Sequence, residues 1–358
     1  MYIFRFLLFP LTLLYNGVTF LRRFLYKKRI ISSVSFSIPT IVVGNLRVGG
    51  TGKTPHIEYL VRLFSTHNIA VLSRGYRRKS KGVLSARQLS EDKQTVNNLG
   101  DEPLQYATKF PNIEVVVAEK RKEGLQYIQD NHPEINLVLL DDAYQHLSVN
   151  YTCKILLTEY ERLYIDDYPF PTGNLREGRS AASAADIIIV TKCPLTLSEK
   201  ERDKITQKIK LKFHQKLFFT AVVYDSPLPI NKQADSFTFD EDTAILLLTG
   251  IANPQPLIQY LSGKFKNVSP FIFPDHHVFT EKDLKIIEKK YKENLKNQVA
   301  IFTTEKDLMR LREKQESILS SLPIFAIPVE VVFLFDEGEQ FNGIFRLKPY
   351  FSSINLTS

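Results

Sequence analysis

The stretch VVGNLRVGGTGKTPHIEYL, residues 42–60, constrains this chain more than any other. An apolar run over residues 39–43 (PTIVV) reads as a buried strand, a glycine-rich turn ends it, and a helical pattern follows over residues 56–65. Glycines at such a turn let backbone N–H groups approach phosphate oxygens and point inward, and the helix N-terminus adds its partial positive charge. Gly49, Gly50, Thr51, Gly52, Lys53 and Thr54 are therefore the candidate phosphate-binding residues. In this arrangement Lys53 reaches the β- and γ-phosphates of a nucleoside triphosphate and the Thr54 hydroxyl holds Mg²⁺. The strict pattern GxxxxGK[ST] places glycine at position 47, where this chain has Arg47. A chance GKT on a surface turn is the alternative; the strand–loop–helix context and Gly49-Gly50 favour the phosphate site.

A second signal stands downstream. Residues 137–142 (LVLLDD) form an apolar run ending in Asp141 and Asp142. A strand of this kind beside the first supplies a carboxylate to the Mg²⁺ shell in phosphate-loop enzymes, and oxygen donors suit that ion. Read alone, the same residues are an ordinary strand-to-helix turn with an acidic cap.

Further short apolar runs at 69–72, 115–117, 155–157 and 187–190 alternate with longer amphipathic stretches. That alternation predicts an α/β fold, a mostly parallel sheet with helices on both faces. Residues 224–235 (YDSPLPINKQAD) mark a break, followed by strands expected at 244–248, 268–273, 299–303 and near 324–335, and a charged helix at 282–296. Three segments are expected: an N-terminal helix (1–30), a phosphate-loop domain (31–225) and a smaller α/β domain (226–358).

Residues 1–30 contain no acid. Their apolar run from Phe6 to Leu21 spans 16 residues and precedes Arg22, Arg23, Lys27, Lys28 and Arg29. That is short of the roughly 20 residues a spanning helix needs, and no small-residue cleavage site follows. The segment reads as an interfacial or barely inserted helix with its cations on anionic headgroups; a helix packed on the protein's own core is the alternative. The chain's 358 residues carry a formal charge of +8, which suits nucleic acid, an anionic membrane or a phosphorylated substrate. Aromatic residues are not interleaved with basic ones in a stacking pattern, which discounts nucleic acid. The two cysteines, Cys153 and Cys193, form no CxxC pair, so neither a zinc site nor a disulfide framework is visible.

The motifs VGNLRVGGTGKTP, LSRGYRRK, GDEP, DDAYQH, GNLREGRS, TGIANP, FPDHHVFT and TTEKD occur in this order. Together with the apolar N-terminus they resemble the tetraacyldisaccharide 4'-kinases, over about residues 1–310. Ala143 and Tyr144 stand where that family often shows Gly and Phe, and the family commonly lacks the first glycine of the loop. The resemblance implies transfer of the γ-phosphoryl group of ATP to the 4'-hydroxyl of a tetraacylated glucosamine disaccharide 1-phosphate, with an active site in a cleft between two domains. The N-terminal cations place the chain, anchored by its N-terminal helix, on the cytoplasmic face of the inner membrane if the positive-inside tendency holds, and a monomer is expected. The resemblance makes Asp101 the general base and His276 its partner, brought in from the second domain by cleft closure. Arg176 is expected on phosphate and Glu177 on the metal or its water. Ser73, Arg74, Arg121 and Gln145 are candidate substrate contacts; His277 and Asp307 are expected to be structural.

A phosphate-loop GTPase is the competing reading, since residues 190–194 (VTKCP) sit where such proteins read guanine with NKxD. The fourth position here is Pro194, so the base-reading carboxylate is missing. A membrane module keeping the fold only as a switch would have no use for Asp101 or His276.

Overall fold

The structure, a computed structural model, describes residues 7–293, 298–312 and 318–347. The apolar runs become strands: β1 (Thr40–Asn45), β2 (Ile69–Ser73), β3 (Leu84–Ser85), β4 (Glu114–Val117), β5 (Leu137–Asp141), β6 (Cys153–Glu159), β7 (Ile187–Thr191) and β8 (Lys216–Tyr224). With β14 (Val329–Phe333) they form one sheet in the order β14-β8-β7-β6-β1-β5-β2-β4-β3. The pairings from β4 through β8 are parallel, and the short β3 runs antiparallel to β4. Every residue of β1, β2, β4, β5 and β7 is buried, as a parallel sheet flanked by helices requires. The chain passes from β5 to β6 across β1, so the phosphate-loop strand lies where the winding reverses, the place where such sheets hold ligands beyond their carboxyl ends.

A second sheet has the order β11-β10-β12-β13-β9, built from β9 (Leu228–Pro229), β10 (Ala244–Thr249), β11 (Asn267–Ile272), β12 (Val299–Thr304) and β13 (Ile324–Ile327). All its pairs are parallel except β9 with β13. The apolar run near 324–335 proves to be two strands in two sheets. Pro328 separates them and gives neither ladder an N–H at that point. The charged helix runs Glu281–Glu293; residues 294–296 of the expected span lie outside the described residues.

The chain forms two compact units, and neither is a continuous stretch. One comprises residues 1–90, 106–222 and 331 onward; the other comprises 91–105 and 223–330. A single cut at 225/226 therefore misses two excursions, and both have physical causes. Helix Gly338–Leu347 buries Phe341 and Phe345 against Phe64 and Phe218, with edge-on ring contacts of 5.3–5.9 Å that also take in Tyr59. Residues 91–105 carry Asp101, whose carboxylate is bound within the second unit.

Helix Phe9–Lys27 belongs to the first unit and has Pro10 in its first turn, where its missing N–H is harmless. Its apolar side chains are largely exposed: Leu14 by 68% and Val18 by 62%. This is not the profile of a helix sunk in the protein's own core. Among the described residues no helix is long and apolar enough to cross a membrane.

Gly44 in β1 is where the Asp141–Gln145 turn packs closest, since a Cβ there would stand 2.6 Å from Tyr144 Cβ and 3.2 Å from its backbone N. Gly44→Ala should destabilise the fold by about 1–3 kcal/mol, read as a lower midpoint in chemical denaturation; an unchanged midpoint would mean the turn moves freely.

Candidate active site

The phosphate loop joins β1 to helix Lys53–Leu63. Gly49 and Gly52 have φ of 125° and 86°, backbone that L side chains resist, so glycine is required at both. Asn45 Nδ2 donates to Thr51 Oγ1 at 2.9 Å, and Thr191 Oγ1 donates to the Thr51 carbonyl at 2.9 Å. Lys192 donates to the Gly50 carbonyl and to Glu159, so the TKCP segment braces the loop from outside. The departure at position 47 has a simple reason. Arg47 is not among the residues with left-handed backbone; it forms an antiparallel bridge with Leu175, and its Nε lies 3.6 Å from Asp167 Oδ2.

The acidic strand end lies beside it, with Val43 of β1 in register with Asp141 of β5. Asp142 follows the strand with φ 49°, its N–H donating to the Val43 carbonyl at 3.0 Å. Lys53 Nζ is 3.7 Å from Asp142 Oδ1, and Arg176 Nη1 donates to both carboxylate oxygens at 3.0 and 2.9 Å. Burial works to raise the Asp142 carboxyl, but Lys53 and then Arg176 outweigh it and hold it below the usual carboxylate range. Asp142 is thus an ionised, half-open oxygen donor, Thr54 is half-buried at the start of the helix after the loop, and Asp141 is buried. A donor set this sparse fits Mg²⁺, which keeps several waters and takes one or two carboxylates.

Several of the expected site residues have partners within the protein. Arg176, expected on phosphate, clamps Asp142. Glu177, expected on the metal, is buried and ion-paired with Arg23 of the N-terminal helix. Arg121, expected on substrate, is 1% exposed and donates to the carbonyls of Ala118 (2.8 Å) and Asp141 (3.0 Å), so it braces strand ends. Gln145 Nε2 donates to the Asn45 carbonyl at 2.7 Å, also a bracing contact. Ser73 is buried at the end of β2, and Arg74 beside it is exposed.

The second unit holds its own cluster. His276 Nδ1 lies 2.8 Å from Asp101 Oδ2. Both residues belong to this one unit, so the pair needs no closure between domains to form. Arg310 Nε donates to the same oxygen at 2.9 Å, its Nη2 also reaches that oxygen, and Nη1 donates to Asp307 Oδ1 at 2.9 Å. Burial works to raise the Asp101 carboxyl, but His276 and Arg310 overcome it and bring it down to about 2. His276 has φ 61°, uncommon for a non-glycine residue and held here by its N–H to the Gly250 carbonyl at 3.1 Å. Lys306 Nζ stands 3.4 Å from His276 Nε2 and 2.8 Å from Glu102 Oε1. Asp307 is fully buried and accepts from the Gly250 N–H (2.9 Å) and from Thr304 Oγ1 (2.8 Å), a structural role. His277 is structural too, stacked on Phe273 and 3.1 Å from Asp283.

Arg310 is the residue that sequence reading missed. Its signal was the three-residue spacing from Asp307, which puts both on one helix face within helix Glu305–Arg312. Nothing local links it to Asp101, 209 positions away.

The profile of the tetraacyldisaccharide-1-P 4'-kinase family matches residues 4–346. The chain is 44% identical to a tetraacyldisaccharide 4'-kinase of Flavobacterium johnsoniae, covering 92% of both chains. It is 45% identical to one of Flavobacterium psychrophilum, covering 92% of this chain and 93% of the other. Its fold matches the crystal structure of LpxK from Aquifex aeolicus in complex with ATP, with TM-score 0.70, 26% identity and coverage of 95% and 98%. With its phosphate loop, acidic strand end and Asp101–His276 pair on the same chain, this protein belongs to the tetraacyldisaccharide-1-P 4'-kinase family.

Proposed function

We propose that the chain transfers the γ-phosphoryl group of ATP to the 4'-hydroxyl of a tetraacyldisaccharide 1-phosphate, giving the bisphosphorylated lipid A precursor. The observation that carries this reading is the phosphate loop with Lys53 and Arg176 converging on the ionised Asp142, in a chain of this family. Gly49 to Thr54 would cradle the phosphates, with Lys53 on the β- and γ-phosphates. Thr54 and Asp142 would hold Mg²⁺, whose chemistry there is neutralisation of charge on the transferring group.

Asp101 is the proposed acceptor of the hydroxyl proton. A carboxylate gripped by a guanidinium is a weak base, which suits a loose transfer: the proton leaves late, when the attacking oxygen is already bonding to phosphorus and is strongly acidic. His276, through Nδ1, holds that carboxylate in place or takes the proton on. The exposed apolar side chains of helix Phe9–Lys27, with Lys27 at its end and Lys28 and Arg29 after it, support seating at a membrane surface with anionic headgroups. The cytoplasmic face of the inner membrane is the proposed location, where an acylated substrate would be met.

The direct test is incubation with labelled ATP and a tetraacylated disaccharide 1-phosphate. A bisphosphorylated lipid is expected, formation stopping with EDTA and in Lys53→Ala; no labelled lipid under any condition would overturn the reading.

Asp101→Ala and His276→Ala should each lower kcat by about 10²–10⁴ while ATP binding survives. Groups acting as a unit are non-additive, so the double variant should be little worse than the poorer single one. Fully additive losses at saturating substrates would mean two independent roles.

Arg310 sets the pH behaviour. With its carboxyl at about 2, Asp101 is ionised throughout any practical assay. The depressed value contributes stability that is fully present above the ordinary value of 3.8 and lost as pH falls toward 2. In Arg310→Gln the lowering guanidinium is gone while burial remains, so the acid limb of the kcat profile should move up in pH. A profile superimposable on the wild type would remove Arg310 from this role.

A further inference from the structure

The N-terminal helix is bound to the protein by polar contacts that a lipid anchor does not need; apart from Arg22 Nη2, which donates to the Gln145 carbonyl at 3.3 Å, its hydrogen bonds and ion pair to the rest of the protein fall on one segment, residues 172–178. Thr12 Oγ1 shares a 2.6 Å hydrogen bond with Thr172 Oγ1 and accepts the Thr172 N–H at 3.0 Å. The Tyr15 hydroxyl donates to the Arg176 carbonyl at 2.6 Å. Asn16 Oδ1 occupies the space where a Cβ of residue 178 would stand. Arg23 pairs with Glu177 and lies over the Tyr144 ring at 5.5 Å.

The same segment is laced to the phosphate loop on its other side. Val48 N–H donates to the Asn174 carbonyl at 2.9 Å, Arg176 N–H donates to the Leu46 carbonyl at 2.6 Å, and Arg47 bridges Leu175. Arg176 then sends its guanidinium onto Asp142. Glu177 is only 3% exposed. A buried carboxylate with no counter-charge is strongly unfavourable and would move or protonate; burial does raise its carboxyl, and Arg23 is the largest influence pulling it back.

We infer that Arg23 is a positioning residue for the nucleotide–metal site: by neutralising Glu177 it holds residues 174–177 in the register that brings Arg176 onto Asp142. The helix is then a structural part of the phosphate site as well as a lipid-facing element. Its two faces divide the work, with Thr12, Tyr15, Asn16 and Arg23 turned to the protein and Leu14 and Val18 turned outward. This inference rests on the kinase reading above.

The test is Mg²⁺-dependent binding of a fluorescent ATP analogue to the full-length protein in detergent, beside flotation of the same protein with phosphatidylglycerol-containing vesicles. Arg23→Ala should weaken analogue binding or its Mg²⁺ dependence by about 10–100-fold, the usual effect of removing an outer partner of a metal site, with flotation unchanged. Tyr15→Phe should act in the same direction by a smaller factor, and it keeps the fold informative if Arg23→Ala unfolds. Reversing the pair, Arg23→Glu with Glu177→Arg, should recover part of the loss. In an Asp142→Asn background, Arg23→Ala should add little, because the two act through one chain of contacts. Wild-type binding in both Arg23→Ala and Tyr15→Phe, or losses fully additive with Asp142→Asn, would overturn the inference. A wild-type protein that binds no analogue at all would overturn the kinase reading instead, and this inference with it.

Discussion

The carboxylate of Asp142 is where the first unit's organisation converges. Its backbone leaves β5 in a left-handed conformation, fixed by the hydrogen bond to Val43 of the neighbouring strand. Its side chain meets Lys53 from the helix after the phosphate loop and Arg176 from a segment far along the chain. Two cations on one half-buried carboxylate keep it ionised against its own desolvation. The three charges satisfy one another within the protein.

That convergence depends on an outer layer. Residues 174–176 pair with residues 46–48, so the glycine-poor first half of the phosphate loop is held by strand-like hydrogen bonds where glycine-rich loops rely on conformational freedom. Arg47 in place of glycine follows directly, because a bridging residue in extended backbone tolerates a side chain. Thr191 and Lys192 brace the opposite side of the loop. The N-terminal helix closes the layer through Tyr15 and Arg23.

The second unit solves a different electrostatic problem by the same means. Asp101 is 5% exposed, yet three donors from His276 and Arg310 meet on one of its oxygens. Arg310 is in turn held by Asp307, which is tied to the backbone of Gly250 and to Thr304. Each buried charge has a partner, and the chain of partners ends on main-chain groups that cannot move independently of β10 and β12. The strained turn at His276 is held in place by this framework.

Much of this was legible in the residues. Apolar runs of Val, Ile and Leu specify parallel strands because both faces must be buried, and the Gly49–Thr54 turn specifies a phosphate loop because only glycines reach the required backbone angles. Those are local properties, carried by neighbours in sequence. The motif order was enough to point to the family, and with it to Asp101 and His276. What the residues could not reveal was which long-range partner each charge would take. Glu177 and Arg23 are 154 positions apart and Arg310 and Asp101 are 209 apart, and an ion pair across such a distance leaves no periodicity. The return of β14 and the excursion of residues 91–105 were hidden for the same reason. Local pattern determines which elements form and which loop can bind phosphate; only the packed structure decides which buried charges meet, because that choice minimises desolvation over the whole fold.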